Sequence, residues 1–269
     1  PILYGRGANL VELAQFFAMI GKKPTIIAEA LPLIPSVDAA LEAFIQKKLK
    51  KDKIPVIPIS EVSFQNGVLT HKDRTISHDA VFNISFRSAV LPPADVELDL
   101  RDGFIATDRN HESSIKGIYA AGDVNGKSFL AHAASAQALE VISAIQGLNA
   151  PEELPHYPIN IYTEPEIAQI GKTEAELKAE GIEYQISQFP LTANGKALAA
   201  GESEGFIRLL WEPRYHEVLG VQIVASDATD LISEAGILME LEGTTFDLAR
   251  TVHAHPTVSE IYMEAGMVE

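Results

Sequence analysis

The opening stretch PILYGRGANLVELAQFFAMIGKKPTIIAE, residues 1–29, decides the fold of the first part of the chain. Its apolar start, Ile2 to Tyr4, predicts a strand that runs into a glycine turn. Apolar residues then recur at helical spacing until Gly21, and a second apolar strand ends at Glu29. This strand–turn–helix–strand order predicts a parallel sheet covered on both faces, and therefore an α/β domain.

The turn between the first strand and the first helix has the pattern G-x-G-x-x-L, from Gly5 to Leu10. The first glycine permits a tight turn, and Gly7 lets the backbone approach a pyrophosphate held by the helix N-terminus. Glu29, 24 residues after Gly5, is expected to bind the adenine-ribose hydroxyls and to favour NAD over NADP. Leu10 replaces the usual third glycine, which shifts the helix or weakens cofactor binding. A plain strand–helix turn is the alternative interpretation.

Composition excludes several classes of function. The 269 residues carry 21 Lys plus Arg against 37 Asp plus Glu, a net charge of −16, which argues against nucleic acid or an anionic membrane as partner. The one dense lysine run, residues 47–53, is expected to end a helix and complement its dipole. No stretch approaches the ~20 apolar residues of a membrane span. Zero cysteines exclude disulfides and thiolate chemistry within this chain and fit a reducing cytoplasm.

The middle of the chain is predicted to complete the first domain and to begin another unit. Ser36 can cap a helix over residues 36–49. Short alternating segments predict antiparallel β structure over residues 54–88. The segment GIYAAGDV, residues 117–124, predicts a further strand, and an Ala-rich helix follows over about residues 129–145.

A Pro-rich stretch at residues 151–158 is typical of a linker, and the pattern changes after it. Thr173 and Glu176 form a predicted capping box for a helix that ends at Gly181. Consecutive strands between helices indicate an α+β domain with an antiparallel sheet. The predicted elements are strands at about 184–191, 205–211 and 217–225 and a helix at about 227–242.

The segment HAHPTVSE, residues 253–260, carries the candidate catalytic groups, His255 and Glu260. Pro256 suits the first turn of a helix, which would leave His255 in an extended entry and Glu260 one turn into the helix. The carboxylate could then hold one imidazole nitrogen and raise the basicity of the other. His253 completes an H-x-H pair, so a metal site is one alternative, although no third ligand has suitable spacing. A structural histidine at the helix entry is the other.

The order of these motifs resembles that of the FAD-dependent pyridine nucleotide–disulfide oxidoreductases. The H-A-H-P-T-x-S-E segment and residues 193–197, ANGKA, are most similar to the dihydrolipoamide dehydrogenase members. Glutathione and mercuric reductases share the architecture, but the H-A-H-P form and Glu29 make them less similar. The resemblance implies a Rossmann-like NAD-binding domain at 1–90, the end of an FAD-binding domain with a linker at 91–155, and a dimerisation domain at 156–269. It also implies that the chain lacks the family's N-terminal FAD and redox-cysteine region.

The resemblance implies roles for further residues, with FAD and NAD as cofactors. Asp123, beside Gly122, matches the aspartate that holds the ribityl or pyrophosphate part of FAD; an ordinary turn aspartate is the alternative. Glu12 matches a glutamate near the nicotinamide; a solvated helix residue is the alternative. The backbone N–H groups that would face the flavin are those of Phe129, Leu130, Ala131 and His132.

In the family, the residues that match His255 and Glu260 lie in the partner subunit's active site, where this histidine–glutamate pair acts as the base that takes a proton from the dithiol. The resemblance therefore implies a cytoplasmic homodimeric enzyme of cell redox homeostasis that passes electrons from a dithiol such as dihydrolipoamide, through a disulfide and FAD, to NAD. A 2-oxo acid or acetoin dehydrogenase complex is the implied partner. At residues 85–89 the family carries a glycine where this chain has Phe86, which would crowd the cofactors. With Leu10, this leaves a non-catalytic nucleotide-binding or dimerisation module with a degenerate NAD site as the alternative.

Overall fold

The computed structural model describes residues 1–65, 67–85, 87–93, 95–148 and 157–268. They form two compact units, one made of Pro1–Ser85 with Pro158–Glu269 and one made of Phe86–Tyr157. The domain boundaries expected at residues 90 and 155 stay predictions. Mixed α/β structure with parallel and antiparallel sheets confirms the expected fold class.

The first part of the larger unit contains a four-stranded parallel sheet, with strand order β3-β2-β1-β7. The predicted strand–turn–helix–strand order is confirmed, and Gly21, at a φ of 77°, follows the end of the first helix as expected. The elements are β1 (Ile2–Gly5), α1 (Ala8–Met19), β2 (Thr25–Ala28), α2 (Ala39–Lys51), β3 (Val56–Pro58), β4 (Val62–Gln65), β5 (Val68–His71), β6 (Arg74–Thr75) and β7 (Val81–Ile84).

Two predictions for this region are wrong in detail. The N-cap of α2 is Asp38 rather than Ser36, because the Asp38 carboxylate accepts the N–H of Ala40 at 2.9 Å. Antiparallel pairing does not extend over the whole of residues 54–88, since among the residues described there only those of β4, β5 and β6 pair in that way. β3 and β7 join the parallel sheet instead, where β7 pairs with the buried strand β1. The lysine run does end α2, as expected.

The smaller unit contains β8 (Leu100–Arg101), β9 (Phe104–Ile105) and α3 (Ala131–Ile145). The predicted strand at 117–124 is wrong. Its Tyr119 forms only an isolated bridge with Glu112, and Gly122–Asn125 is a short 3₁₀ turn. Gly117 and Gly122 have φ values of 83° and 78°, which interrupt an extended chain at both ends of the segment.

The second part of the larger unit contains a five-stranded antiparallel sheet, with strand order β10-β11-β14-β13-β12. The capping box of Thr173 and Glu176 is confirmed, as is the helix end at Gly181. No helix among the described residues is long and apolar enough to cross a bilayer. The elements are β10 (Ile159–Ile161), β11 (Glu166–Gly171), α4 (Glu174–Glu180), β12 (Gln185–Pro190), α5 (Gly195–Ala200), β13 (Phe206–Trp211), β14 (Val218–Ala225), α6 (Ala228–Glu240), α7 (Thr245–Arg250) and α8 (Glu260–Met267).

A buried polar link joins the two sheets of this larger unit. The Arg208 guanidinium on β13 donates to Asp38 Oδ1 at 3.1 Å and also bonds Glu174 at the start of α4. Hydrogen bonds from Tyr184, Lys178 and Arg208 lower the pKa of Glu174 to about 2, against the opposing effect of its partial burial. The carboxylate therefore stays ionised beside Arg208, and α2 is held against the antiparallel sheet through its N-cap.

Candidate functional site

The glycine turn leaves open space in front of helix α1. Gly5 has a φ of +138°, and a Cβ there would lie 2.3 Å from the Ile84 carbonyl oxygen, so only glycine fits. Gly7 has a φ of +102°, and a Cβ there would meet nothing within 4 Å. Gly7 is also the N-cap of α1 and has no side chain to cap it. The N-terminus of α1 can therefore be approached closely by an anionic group.

Glu29 stands at the same edge of the sheet, directly after β2. Its backbone N–H donates to the Gly5 carbonyl at 3.0 Å, which fixes it beside the turn. Its Oε2 atom is buried and has no hydrogen-bond partner among the described residues. A buried acceptor without a donor is unusual, and ribose hydroxyls would supply donors. The residues present thus fit the adenosine part of NAD.

Leu10 and Glu12 both make protein contacts. Leu10 is fully buried and packs with Leu3 and Ile26 of the sheet, so the departure from glycine is absorbed in the core. The Glu12 carboxylate accepts the Tyr162 N–H at 2.9 Å, a contact that no local signal in the sequence indicates. The expected place of Glu12 near a nicotinamide stays a prediction.

The residues expected at the flavin lie in the smaller unit. The Gly122 N–H donates to Gln137 at 2.7 Å, and Asp123 lies opposite Arg87 at 3.7 Å. Helix α3 begins at Ala131, and no side chain caps it. Leu130 is the N-cap, so the N–H groups expected to face the flavin, those of Ala131 and His132, lie in the first turn of α3, where the helix dipole favours an electron-rich ring. Phe129 packs edge-on against Phe104 at 5.6 Å, whereas Phe86 lies outside the described residues.

His255 and Glu260 are brought together as expected, but through a different local structure. His255 Nδ1 lies 2.9 Å from Glu260 Oε1, while the Thr257 N–H donates to Oε2, also at 2.9 Å. The expectation that Pro256 occupies the first helical turn is wrong, because α8 begins only at Glu260. The intervening loop is closed by the Thr257 hydroxyl, which donates to the Ala254 carbonyl at 2.7 Å.

The environment of Glu260 sets which nitrogen of His255 is available. The Thr257 N–H, followed by the His255 ring, lowers the pKa of Glu260 below its ordinary value. An ionised carboxylate only accepts, so Nδ1 of His255 carries the proton that faces it. The side chain of His255 is 80% exposed. Nε2 is therefore left with its lone pair directed away from Glu260, as a general base requires.

His253 occupies a different environment, although it lies two residues away. Its side chain is 6% exposed, and its Nε2 lies 2.7 Å from Glu234 on α6. Nδ1 lies 3.1 Å from the Thr251 carbonyl, and the ring stacks parallel to Tyr262. Within the described part of the chain, no three His, Asp or Glu side chains are grouped to hold a metal ion. His253 therefore anchors the loop that carries His255.

Asn194 is a second anchor, which the sequence reasoning did not identify. Its carboxamide oxygen caps α5 by accepting the Ala197 N–H, and its amide group donates to the Thr257 carbonyl at 3.1 Å. The ANGKA segment that carries it pointed to a family resemblance rather than to this contact. An asparagine before a short helix is a recognisable cap, but its bond to a loop 63 residues away is visible only in the fold.

Comparison with protein families and known proteins matches nearly the whole chain to one family. The pyridine nucleotide-disulphide oxidoreductase family matches residues 3–138, and the dimerisation domain of the same family matches residues 157–266. The chain is 36% identical to a dihydrolipoyl dehydrogenase of Cupriavidus necator over 98% of its own length and 58% of the relative. It is 31% identical to a leghemoglobin reductase of Glycine max, covering 99% of this chain and 54% of the relative.

Solved structures share the fold. LpdA of Mycobacterium tuberculosis superimposes with a TM-score of 0.87 at 23% identity, over 98% of this chain and 60% of that one. The flavoprotein disulfide reductase RclA of Escherichia coli superimposes with a TM-score of 0.87 at 20% identity, over 100% of this chain and 65% of that one. At these identities the likeness concerns the fold alone. The chain spans little more than half the length of the curated relatives it matches.

Proposed function

Because the chain belongs to the pyridine nucleotide-disulphide oxidoreductase family, we propose that it is the nucleotide-binding and dimerisation part of an FAD-dependent oxidoreductase. The proposed reaction passes electrons from a dihydrolipoamide-like dithiol, through a disulfide and FAD, to NAD. The dihydrolipoyl dehydrogenases among its relatives support this substrate class. The chain spans 58% of the Cupriavidus relative, so the activity is proposed for the protein that contains it.

The observation that carries the proposal is the exposed His255 ring held by Glu260. With Nδ1 directed at an ionised carboxylate, Nε2 can take a proton from a thiol, and the resulting imidazolium is stabilised by Glu260. Deprotonation is the step that a dithiol needs, because the thiolate is the nucleophile in disulfide exchange. The chain itself has no cysteine, so the disulfide must come from elsewhere in the protein.

The cofactors are proposed to sit at the two helix N-termini already described. Gly5, Gly7 and Glu29 would hold NAD, and Gly122, Asp123 and the first residues of α3 would hold FAD. When bound, these groups supply the hydride and electron-transfer chemistry. The protein supplies close backbone approach and uncapped N–H groups, together with a carboxylate for the ribose. Glu29 should make NADH bind more tightly than NADPH in calorimetry, and equal affinities would contradict its role.

The assembly is proposed to be a homodimer in the cytoplasm, within a 2-oxo acid or acetoin dehydrogenase complex, with a role in cell redox homeostasis. The match of residues 157–266 to a dimerisation domain supports the dimer. The outward direction of His255 agrees with a base that serves a neighbouring subunit. Light scattering should give twice the chain mass, and a monomer at micromolar concentration would contradict the dimer.

The decisive experiment substitutes His255 in the flavin-containing protein. His255→Ala should slow dithiol oxidation by about 10²- to 10⁴-fold, the usual effect of losing a general base. His71→Ala is the matched control, because His71 also pairs with a glutamate, Glu61, at 3.0 Å, in a part of the chain with no proposed role. The control should stay within about twofold of wild type. A loss below threefold for His255→Ala would remove His255 from this role.

A non-catalytic module with a degenerate NAD site remains the second candidate. The observation that favours it is that the Gly7 N–H donates to the Leu33 carbonyl at 2.8 Å, so this donor is already used within the protein. Binding of NADH to the chain separates the two candidates. Measurable binding favours the enzyme, and failure to bind at millimolar NADH favours the module.

A further inference from the structure

Arg6 is a charged residue within the glycine turn, and the contacts described so far give it no role. It stands between Gly5 and Gly7, and its side chain is half-buried. Its Nε atom is buried without a hydrogen-bond partner. Among the described residues, none forms an ion pair with its guanidinium. A guanidinium donor that has lost water and gained no acceptor is costly, which points to an acceptor that binds there.

Arg6 is not neutralised by the carboxylate on the same edge of the sheet. Glu29 is hydrogen-bonded to Gly5 through its backbone, yet its Oε2 is itself buried without a partner. Within the described residues no ion pair joins the two side chains, so a buried donor, Arg6 Nε, and a buried acceptor, Glu29 Oε2, both lack partners beside the same turn. Opposite charges kept apart in this way suit a ligand that has both an anionic part and hydroxyl groups. A dinucleotide has both.

The backbone of the glycine turn also has one N–H donor that is not available to a phosphate, and Arg6 can supply a donor in its place. A phosphate at a helix N-terminus is ordinarily held by backbone N–H groups. Here the Gly7 N–H is donated to Leu33 at 2.8 Å, and Leu33 is in turn held by Glu42, which accepts its N–H at 2.8 Å. One backbone donor is therefore committed to the loop after β2. A guanidinium offers up to five N–H donors in a fork that matches phosphate oxygens.

We propose that Arg6 binds the pyrophosphate of the dinucleotide and replaces the backbone donor committed to Leu33. The assignment rests on the proposed NAD site and identifies the side chain that gives the site its affinity for phosphate. Arg6 holds the ligand and takes no part in hydride transfer. A contact with the 2′-phosphate of NADP is the competing assignment, and the two differ in which ligands depend on Arg6.

The test measures ligand binding to the 269-residue chain by calorimetry, without any turnover. For ADP-ribose, which contains the pyrophosphate but no nicotinamide, Arg6→Ala should weaken binding by about 10- to 100-fold, the usual effect of a charge-assisted hydrogen bond. Arg6→Lys should lose less, because it keeps the charge but not the fork. Adenosine has no phosphate, so wild type and Arg6→Ala should bind it with equal affinity. Their NMR signals should therefore shift over the same range of adenosine concentration.

Arg214→Ala is the control, since Arg214 is exposed on the hairpin between β13 and β14, where it packs on Tyr215. It should leave ADP-ribose binding within about twofold of wild type. Raising the salt concentration should weaken ADP-ribose binding more in wild type than in Arg6→Ala, because only wild type retains the charged contact. Circular dichroism and the urea midpoint should show that every variant is folded.

Three outcomes would overturn the assignment, and they separate it from the proposed function. Equal ADP-ribose binding by wild type and Arg6→Ala would remove Arg6 while leaving the NAD site intact. A loss confined to NADPH and 2′-phospho-AMP would move Arg6 to the 2′-phosphate. If wild type binds neither NADH nor ADP-ribose at millimolar concentration, the proposed NAD site falls, and the Arg6 assignment falls with it.

Discussion

His253 and His255 lie two positions apart and each pairs with a glutamate, yet the fold puts them to different uses. His253 is 6% exposed and both its ring nitrogens face oxygen atoms, those of Glu234 and Thr251. His255 is 80% exposed, and only its Nδ1 is engaged, by Glu260. A histidine whose two nitrogens are both occupied cannot take a proton from a substrate. The first histidine holds the loop, and the second is presented by it.

The difference originates in where the two glutamates stand. Glu234 lies in the middle of α6, whose inner face packs in the core, so its partner is drawn beneath the loop. Glu260 is the first residue of α8 and also accepts the Thr257 N–H, so its partner remains at the surface. An H-x-H pair in sequence is therefore not evidence of a shared site, because each histidine is held here by a glutamate of a different helix.

The largest expected difference between His253 and His255 is in how much each contributes to the stability of the fold. His253→Ala removes a ring that is only 6% exposed, together with its bonds to Glu234 and Thr251 and its stacking on Tyr262, so it should lower the free energy of unfolding by about 2–3 kcal/mol. His255→Ala should change it by less than about 0.5 kcal/mol, because the ring is exposed and exposed pairs contribute little. Urea midpoints at constant m-value measure both. Equal midpoints for the two variants would contradict the division of roles.

A smaller effect is expected at the tyrosine beneath His253. Tyr262 is fully buried, and burial raises the pKa of its hydroxyl, which therefore stays protonated and donates to the Leu231 carbonyl at 2.7 Å. Tyr262→Phe keeps the ring but loses this bond, so it should cost about 1 kcal/mol. Combined with His253→Ala in a double-mutant cycle, it should deviate from additivity, since the two rings are in contact. Strict additivity would show that Tyr262 does not support the anchor.

The sequence predicts the elements whose causes are local. Gly21, the Thr173 capping box and the apolar periods of β1 and α1 depend on residues within a turn or two, and all are confirmed. The pairing of His255 with Glu260 was also predicted, because the two residues are five positions apart. Local backbone preference and hydrophobic period are sufficient for such features.

The wrong predictions for residues 117–124 and for Ser36 depend on contacts between elements of the fold. Residues 117–124 are apolar enough for a strand, but the described residues provide no adjacent strand for them beyond one bridge at Tyr119. Ser36 is as good a cap as Asp38 in isolation, and Asp38 takes that place where Arg208, 170 residues away, pairs with its carboxylate. The anchors Glu234 and Asn194 could not be found either, since their partners come from other elements of the fold.

The smallest expected effect is on the pKa of Glu260, the carboxylate that pairs with His255. Its pKa is lowered by the Thr257 N–H first and the His255 ring second, with a smaller electrostatic contribution from His253. His255→Ala should therefore raise the pKa of Glu260 only part of the way to the ordinary value of 4.5, because the Thr257 bond remains. Carboxyl carbon NMR of the folded chain, from pH 6 downwards, measures the midpoint in wild type and variant.

The lowered pKa of Glu260 also determines the direction in which the stability of the fold changes with pH. A carboxyl whose pKa is lower in the folded state stabilises the fold above its unfolded-state pKa, and this contribution disappears as the pH falls through the folded value. Glu260→Gln should thus lose stability relative to wild type near neutral pH and converge with it in acid. His253→Ala should leave most of the lowering of the Glu260 pKa in place if the Thr257 bond survives in the loosened loop, because His253 is the smallest of its causes. A full return of the midpoint to 4.5 in that variant would show that the His253 anchor, and not Glu260 alone, holds His255 and Glu260 together.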